Sequence, residues 1–124
     1  MRKTARALII KNKKILLVSG HGADFFWTPG GGIENTETPE LALGRELKEE
    51  LGLEICKYDR FIDYIVGDQD VVNYLVMTSE DIRTGAEIEK MVWLSRNDIE
   101  KGAIKVSDGF KKNAFVALVE NNLL

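Results

Sequence analysis

Three glutamates, Glu46, Glu49 and Glu50, stand at spacing i, i+3, i+4. At ~100° per residue of helix they fall within one sector roughly 100° wide. Lys48 points in nearly the opposite direction and does not neutralise them, while Arg45, four residues before Glu49, offsets only part of their charge. Carboxylates at this spacing repel by about a few tenths of a kcal/mol per pair in an exposed helix, and by more where burial removes water. Such a face is either a solvated acidic surface or a cage for hard divalent cations, which take oxygen ligands and leave positions for water and phosphate oxygens. The residues just ahead favour the cage. The run Gly30-Gly31-Gly32 lets backbone approach a ligand closely and offers it carbonyl or N–H groups. Glu37 lies on the same loop, where a pair with Arg45 would lock loop onto helix.

These residues need a helix to carry them, and its ends are marked. Thr38 is a good N-cap, Pro39 at the first helical position loses no hydrogen bond, and Gly52 is placed to end the helix in a left-handed conformation. Leu43, Leu47 and Leu51 supply the buried stripe. Around the helix the patterns are those of strands. Thr4–Ile10 and Ile15–Val18 flank the polar Lys11-Asn12-Lys13-Lys14 and predict a hairpin, followed by a loop over Ser19–Ala23 and a short strand at Asp24–Thr28. Pro29-Gly30-Gly31-Gly32 is expected to stop regular structure. Phe61–Val66 and Val71–Met77 read as strands joined by Gly67-Asp68-Gln69-Asp70, Thr78–Ala86 as a loop, and Ile88–Leu94 as a further strand. Ser95 and Asp98 form a capping-box signature, and Ser107 is placed to cap a last helix whose Phe110, Ala114 and Leu118 share a face. The pattern predicts one α+β (mixed α/β) domain over residues 1–124: a mixed sheet with one long central helix and a C-terminal helix.

Gly31-x5-Glu37-x7-Arg45-Glu46-Leu47-x-Glu49-Glu50-x-Gly52-Leu53 resembles the Nudix box, G-x5-E-x7-R-E-U-x-E-E-x-G-U with U a bulky aliphatic, at every specified position. Looser agreement extends to Trp27-Thr28-Pro29-Gly30-Gly31 and to Trp93-Leu94-Ser95. The resemblance implies an α/β/α sandwich and hydrolysis of a nucleoside diphosphate linked to another moiety, with Mg²⁺ or Mn²⁺ as cofactor. It implies Glu46, Glu49 and Glu50 as metal ligands, joined by the Gly30 carbonyl, and Glu37 with Arg45 as a structural pair. It also implies a further acid from the loop before the Trp93 strand. Glu87 and Glu89 are the candidates, Glu87 being the nearer to the loop, and the water's proton would go to Glu46, Glu49 or Glu87. Two departures, Asn35-Thr36 in the loop and Leu41 in the helix, fall outside the ligand positions. A non-catalytic nucleotide sensor of this family would have lost box carboxylates, and all are kept. An enzyme acting on RNA 5′ ends would favour a basic groove. A nucleoside triphosphate, oxidised or ordinary, is the expected substrate, with nucleotide sugars and ADP-ribose still open.

Other residues carry weaker signals. His21, the only histidine, sits among glycines in a loop, exposed or facing substrate. Phe25, Phe26, Trp27 and Tyr74 either stack on a base or belong to the core; Phe26, Trp27 and Tyr74 are taken as candidate substrate contacts. The chain has 124 residues, 44% hydrophobic and 30% charged, which suits one hydrophobic core. Its net charge of −3 argues against a nucleic-acid surface and means that phosphate handling would need a cation. No apolar run is long enough to span a membrane, and the N-terminus lacks a secretory apolar block, so a cytoplasmic location is expected. Lone Cys56 is expected to be buried and inert. The expected partner is a small nucleotide, and a homodimer is allowed.

Overall fold

A computed structural model describes residues 1–55, 57–78, 82–85 and 87–124. The expectation for Cys56, and that of a loop at residues 79–81 and 86, lie outside the described residues. The elements run β1 (Arg2–Lys11), β2 (Lys14–Gly20), β3 (Gly30–Gly32), α1 (Pro39–Leu51), β4 (Lys57–Val66), β5 (Gln69–Met77), β6 (Ile88–Ser95) and α2 (Arg96–Lys101). A π-helical turn, Phe110–Ala114, then leads into α3 (Phe115–Glu120).

The strands form one mixed sheet in the order β4-β5-β1-β2-β6, with β3 also paired to β1. β1 runs parallel to β5 and antiparallel to β2 and β3. It meets β2 only at Ile10↔Ile15 and Lys11↔Lys14, so the two strands part beyond the hairpin. Residues 27–32 fill the gap. Trp27 exchanges both backbone hydrogen bonds with Val18, Ala7 N–H donates to the Pro29 carbonyl, and Gly30–Gly32 pair with Thr4–Arg6. Two sequence expectations are corrected here. The glycine run makes a strand instead of ending regular structure, because its pairing partner is distant in sequence. The strand expected at Asp24–Thr28 is reduced to isolated bridges, Val18↔Trp27 and Phe26↔Val106.

α1 has the predicted ends. Thr38 Oγ1 accepts from Leu41 N–H at 3.2 Å, and Gly52, at φ 66°, donates to the Lys48 carbonyl while Leu53 N–H reaches back to Leu47. Leu43, Leu47 and Leu51 are fully buried against Ala5, Ala7 and Ile9 of β1, Leu16 and Val18 of β2, and Val72 and Val76 of β5. The opposite face of the sheet buries Leu8, Ile15, Leu17 and Leu94 beneath Ile99 of α2 and Phe110, Ala114, Phe115 and Leu118 of the last helix. The result is an α/β/α sandwich with α1 alone on one side. Ser95 and Asp98 make the full capping box, and Ser107 Oγ accepts from Phe110 N–H at 3.3 Å. Among the described residues no helix is long and apolar enough to cross a membrane.

Candidate active site

β3 is the platform on which the glutamates sit. Its alternate residues Gly30 and Gly32 turn their backbone groups away from β1, where side chains take them. Gly30 N–H donates to both carboxyl oxygens of Glu50 at 3.3 and 3.5 Å, and the Gly30 carbonyl accepts from Arg6 Nη1 at 3.2 Å. The Gly32 carbonyl accepts from Arg45 Nη2 at 3.1 Å. Only glycine permits this. Gly30 has φ +136°, and a Cβ there would stand 2.2 Å from the Ala5 carbonyl oxygen. A Cβ on Gly31 would lie 2.5 Å from the carboxyl group of Glu46.

The loop between β3 and α1 is tied down by one guanidinium. Arg45 grips Glu37 through two parallel hydrogen bonds of 2.7 and 2.9 Å and also donates to Glu46 at 2.9 Å. This fork holds the Glu37 carboxyl down at about 2, with a further contribution from Glu34 N–H. Glu49 stands at the rim, its side chain 53% exposed and 3.7 Å from Arg45. Glu50 is only 7% exposed. Burial, followed by the hydrogen bond and charge of Glu46, pushes its carboxyl up to about 8, against the pull of Arg6 and Gly30 N–H.

Glu46, Glu49, Glu50 and Glu87 line one cleft of about 290 Å³, together with His21, Trp27, Gly30–Gly32, Arg2 and Arg6. Glu87 arrives there from the sheet side. A backbone irregularity between Ser19 and Gly20 shifts the β2–β6 register, and a Cβ on Gly20 would collide with the Glu87 carbonyl oxygen at 2.1 Å. Residues 82–85 dock on the end of α1, where Arg83 N–H and Gly85 N–H donate to the Leu51 and Glu50 carbonyls. Glu87 pairs with His21 Nε2 at 2.9 Å. Glu89, the other candidate acid, diverges from Glu87. Glu87 precedes β6, whereas Glu89 lies within it and accepts from Gly22 N–H at 2.6 Å, outside the cleft lining.

A second cleft, about 440 Å³, opens on the same side as α3 and is lined by Phe25, Trp27, Thr28, Tyr64, Gln69, Phe110 and Arg6 among others. Two expected substrate contacts are elsewhere. Tyr74 is 2% exposed and packs in the core beneath α1, edge-on to Tyr58. Phe26 packs into the core under α3, because successive residues of an extended segment face opposite ways. Phe25 takes its place beside Trp27, with ring centroids 5.3 Å apart. Sequence reasoning missed Arg6, whose only signal is one charge inside the otherwise apolar run Thr4–Ile10.

Among the described residues no three acidic, histidine or cysteine side chains converge closely enough to close around one ion. The donor set still suits a hard cation. It is made of carboxylate oxygens, one at the rim and two stacked, and the stacked Glu46 and Glu50 crowd charge that a cation would relieve. The Gly30 carbonyl, which already accepts from Arg6, has one lone pair left for a further partner.

A model of the NUDIX domain matches residues 1–113. The chain belongs to the Nudix hydrolase family. Its fold is similar to that of MutT from Aliivibrio salmonicida and Vibrio cholerae, with a TM-score of 0.81 at 18% identity over 96% of this chain and 98% of that one. It is also similar to a NUDIX-family hydrolase from Clostridium perfringens, with a TM-score of 0.74 at 25% identity over 99% and 97% of the two chains. An 8-oxo-dGTP diphosphatase of Proteus vulgaris is 47% identical over 40 residues, a stretch that spans 32% of this chain and 36% of that protein.

Proposed function

We propose that this Nudix protein is a metal-dependent pyrophosphohydrolase that cleaves a nucleoside triphosphate, oxidised or ordinary, to a monophosphate and pyrophosphate. The observation that carries this reading is the acid cleft, where four glutamates and two arginines converge on one glycine platform. The partial match to an 8-oxo-dGTP diphosphatase favours a triphosphate over the alternatives.

Glu46, Glu49 and Glu50 would hold Mg²⁺ or Mn²⁺, with the Gly30 carbonyl beside them. When bound, such an ion neutralises phosphate charge, polarises phosphorus and makes water more acidic. Arg45 holds Glu46 in place and, through Glu37, fixes the loop that carries the platform into α1. Glu87 accepts the proton of the attacking water. The water oxygen bonds to phosphorus, the bond from phosphorus to the bridging oxygen breaks, and pyrophosphate leaves. His21 keeps the Glu87 carboxylate turned toward its imidazole at the cleft wall. Trp27 and Phe25 give the ring of the nucleoside an aromatic wall in the second cleft.

A panel of nucleoside triphosphates, nucleotide sugars and ADP-ribose, assayed with Mg²⁺ for released phosphate and pyrophosphate, tests the reading. Pyrophosphate from at least one triphosphate, abolished by a chelator, is the expected result. Hydrolysis of none of the panel would overturn it.

A further inference from the structure

Among the described residues Arg6 is the one charged side chain that lines both clefts. Its position follows from the alternation of β1. Arg2, Thr4, Arg6, Leu8 and Ile10 share a face, and Leu8 and Ile10 enter the core under α3. Arg6 stands on that face at the level where the sheet meets both clefts. Its Nη1 group donates to the Thr28 carbonyl at 3.1 Å and the Gly30 carbonyl at 3.2 Å, which fixes the plane of the guanidinium.

Two carbonyl acceptors need only one NH₂ group, and a neutral amide would supply it. A guanidinium adds a full charge and three more N–H donors. Among the described residues no carboxylate lies within 4 Å of Arg6. A half-buried cation that faces two clefts with N–H donors beyond its carbonyl ties leaves the site poised for an anion to arrive. Arg2 does not share this arrangement, since it lines only the acid cleft and rests over Gly32.

We infer that Arg6 binds the phosphoryl group that joins the nucleoside to the rest of the substrate, the one group that must span the two clefts. The inference rests on the nucleotide reading above. Arg6 thereby registers the ring in the aromatic cleft against the phosphorus atom in the acid cleft, and its guanidinium recognises phosphate oxygens in the planar, forked manner that lysine does not reproduce.

The test compares two probes, the nucleoside monophosphate released from the best substrate of the panel and the corresponding nucleoside. Their binding is measured by calorimetry with Mg²⁺ present, where neither is turned over. Arg6→Gln is expected to weaken the monophosphate tenfold or more while leaving the nucleoside within about twofold, and Arg6→Lys to fall between. A parallel loss for both probes would overturn the inference, because it would make Arg6 a structural tie to Thr28 and Gly30. So would an unchanged monophosphate affinity. Should the Gln variant fail to fold, the Nε–H resonance of Arg6 in the unmodified protein decides. It must shift with the monophosphate and stay still with the nucleoside. A panel in which nothing is hydrolysed marks failure of the nucleotide reading itself, and Arg6 then has no phosphate to span.

Discussion

Glu50 combines two properties that pull in opposite directions, a buried position and a place on the acid cleft. Burial and the neighbouring Glu46 push its carboxyl up to about 8, well above an unfolded glutamate. The folded state therefore binds a proton that the unfolded state has released. Its contribution to stability is fully present below the unfolded value near ~4.3 and is lost as pH rises toward 8. Glu50→Gln removes that dependence, so the metal-free variant should melt at the same temperature as the parent or higher at pH 7–8, with the gap closing toward pH 4.5. Hydrolysis should nevertheless fall to a small fraction, since a neutral amide lacks the charge that holds a hard cation tightly, and Glu49→Gln should lose activity likewise. Full turnover of both variants at saturating Mg²⁺ would remove these residues from the metal site. The two acids near β6 make a second contrast. Glu87→Gln should lower turnover about tenfold or more with a smaller change in KM, while Glu89→Gln, which loses only an acceptor for Gly22 N–H, should do little. The reverse ranking would mean that the irregularity between Ser19 and Gly20 does not set which acid reaches the cleft.

At the level of elements, the loop and α1 act as one unit because Arg45 joins them. Arg45→Ala leaves Glu37 and Glu46 without their guanidinium and frees the Gly32 carbonyl, so both melting temperature and turnover should drop. If both were unchanged, the tether would carry no weight. The same pair gives an acid-side signature. Glu37 has its carboxyl lowered to about 2, so its stabilisation is present above the unfolded value near ~4.3 and is lost as pH falls through about 2. Glu37→Gln should therefore be less stable than the parent at neutral pH, and equilibrium unfolding should show the difference shrinking as the solution is acidified through that window. How much of this was legible in sequence depended on range. α1 could be read from Thr38 to Gly52 because caps and leucine spacing act within a few residues. β3 could not, since glycine has little strand preference and its pairing with Thr4–Arg6 is made at long range. The acids were visible through their spacing. Arg6, a single charge with no spacing to notice, was not. Phe26 and Tyr74 were misplaced because composition shows an aromatic residue but not which side of the sheet it faces.

Across the whole molecule, β1 is the element that everything else uses. It borders β5, β2 and β3, supplies residues to both cores, and places Arg6 at both clefts. Its alliances have very different ranges. With β2 it shares only two register pairs beside a tight turn, whereas Arg2 through Ile9 align with Gln69 through Val76. A chain emerging from the ribosome thus makes β1 well before its partner and must wait for β5, about 60 residues later, before that strand is enclosed. Bringing such distant segments into parallel register incurs loop-closure entropy before packing rewards it, which is the pattern of slow-folding topologies. In the interval the Ala7–Ile9 stretch is an uncovered apolar strand edge. The strand that organises the finished enzyme is, for the nascent one, an exposed apolar segment at risk of aggregation.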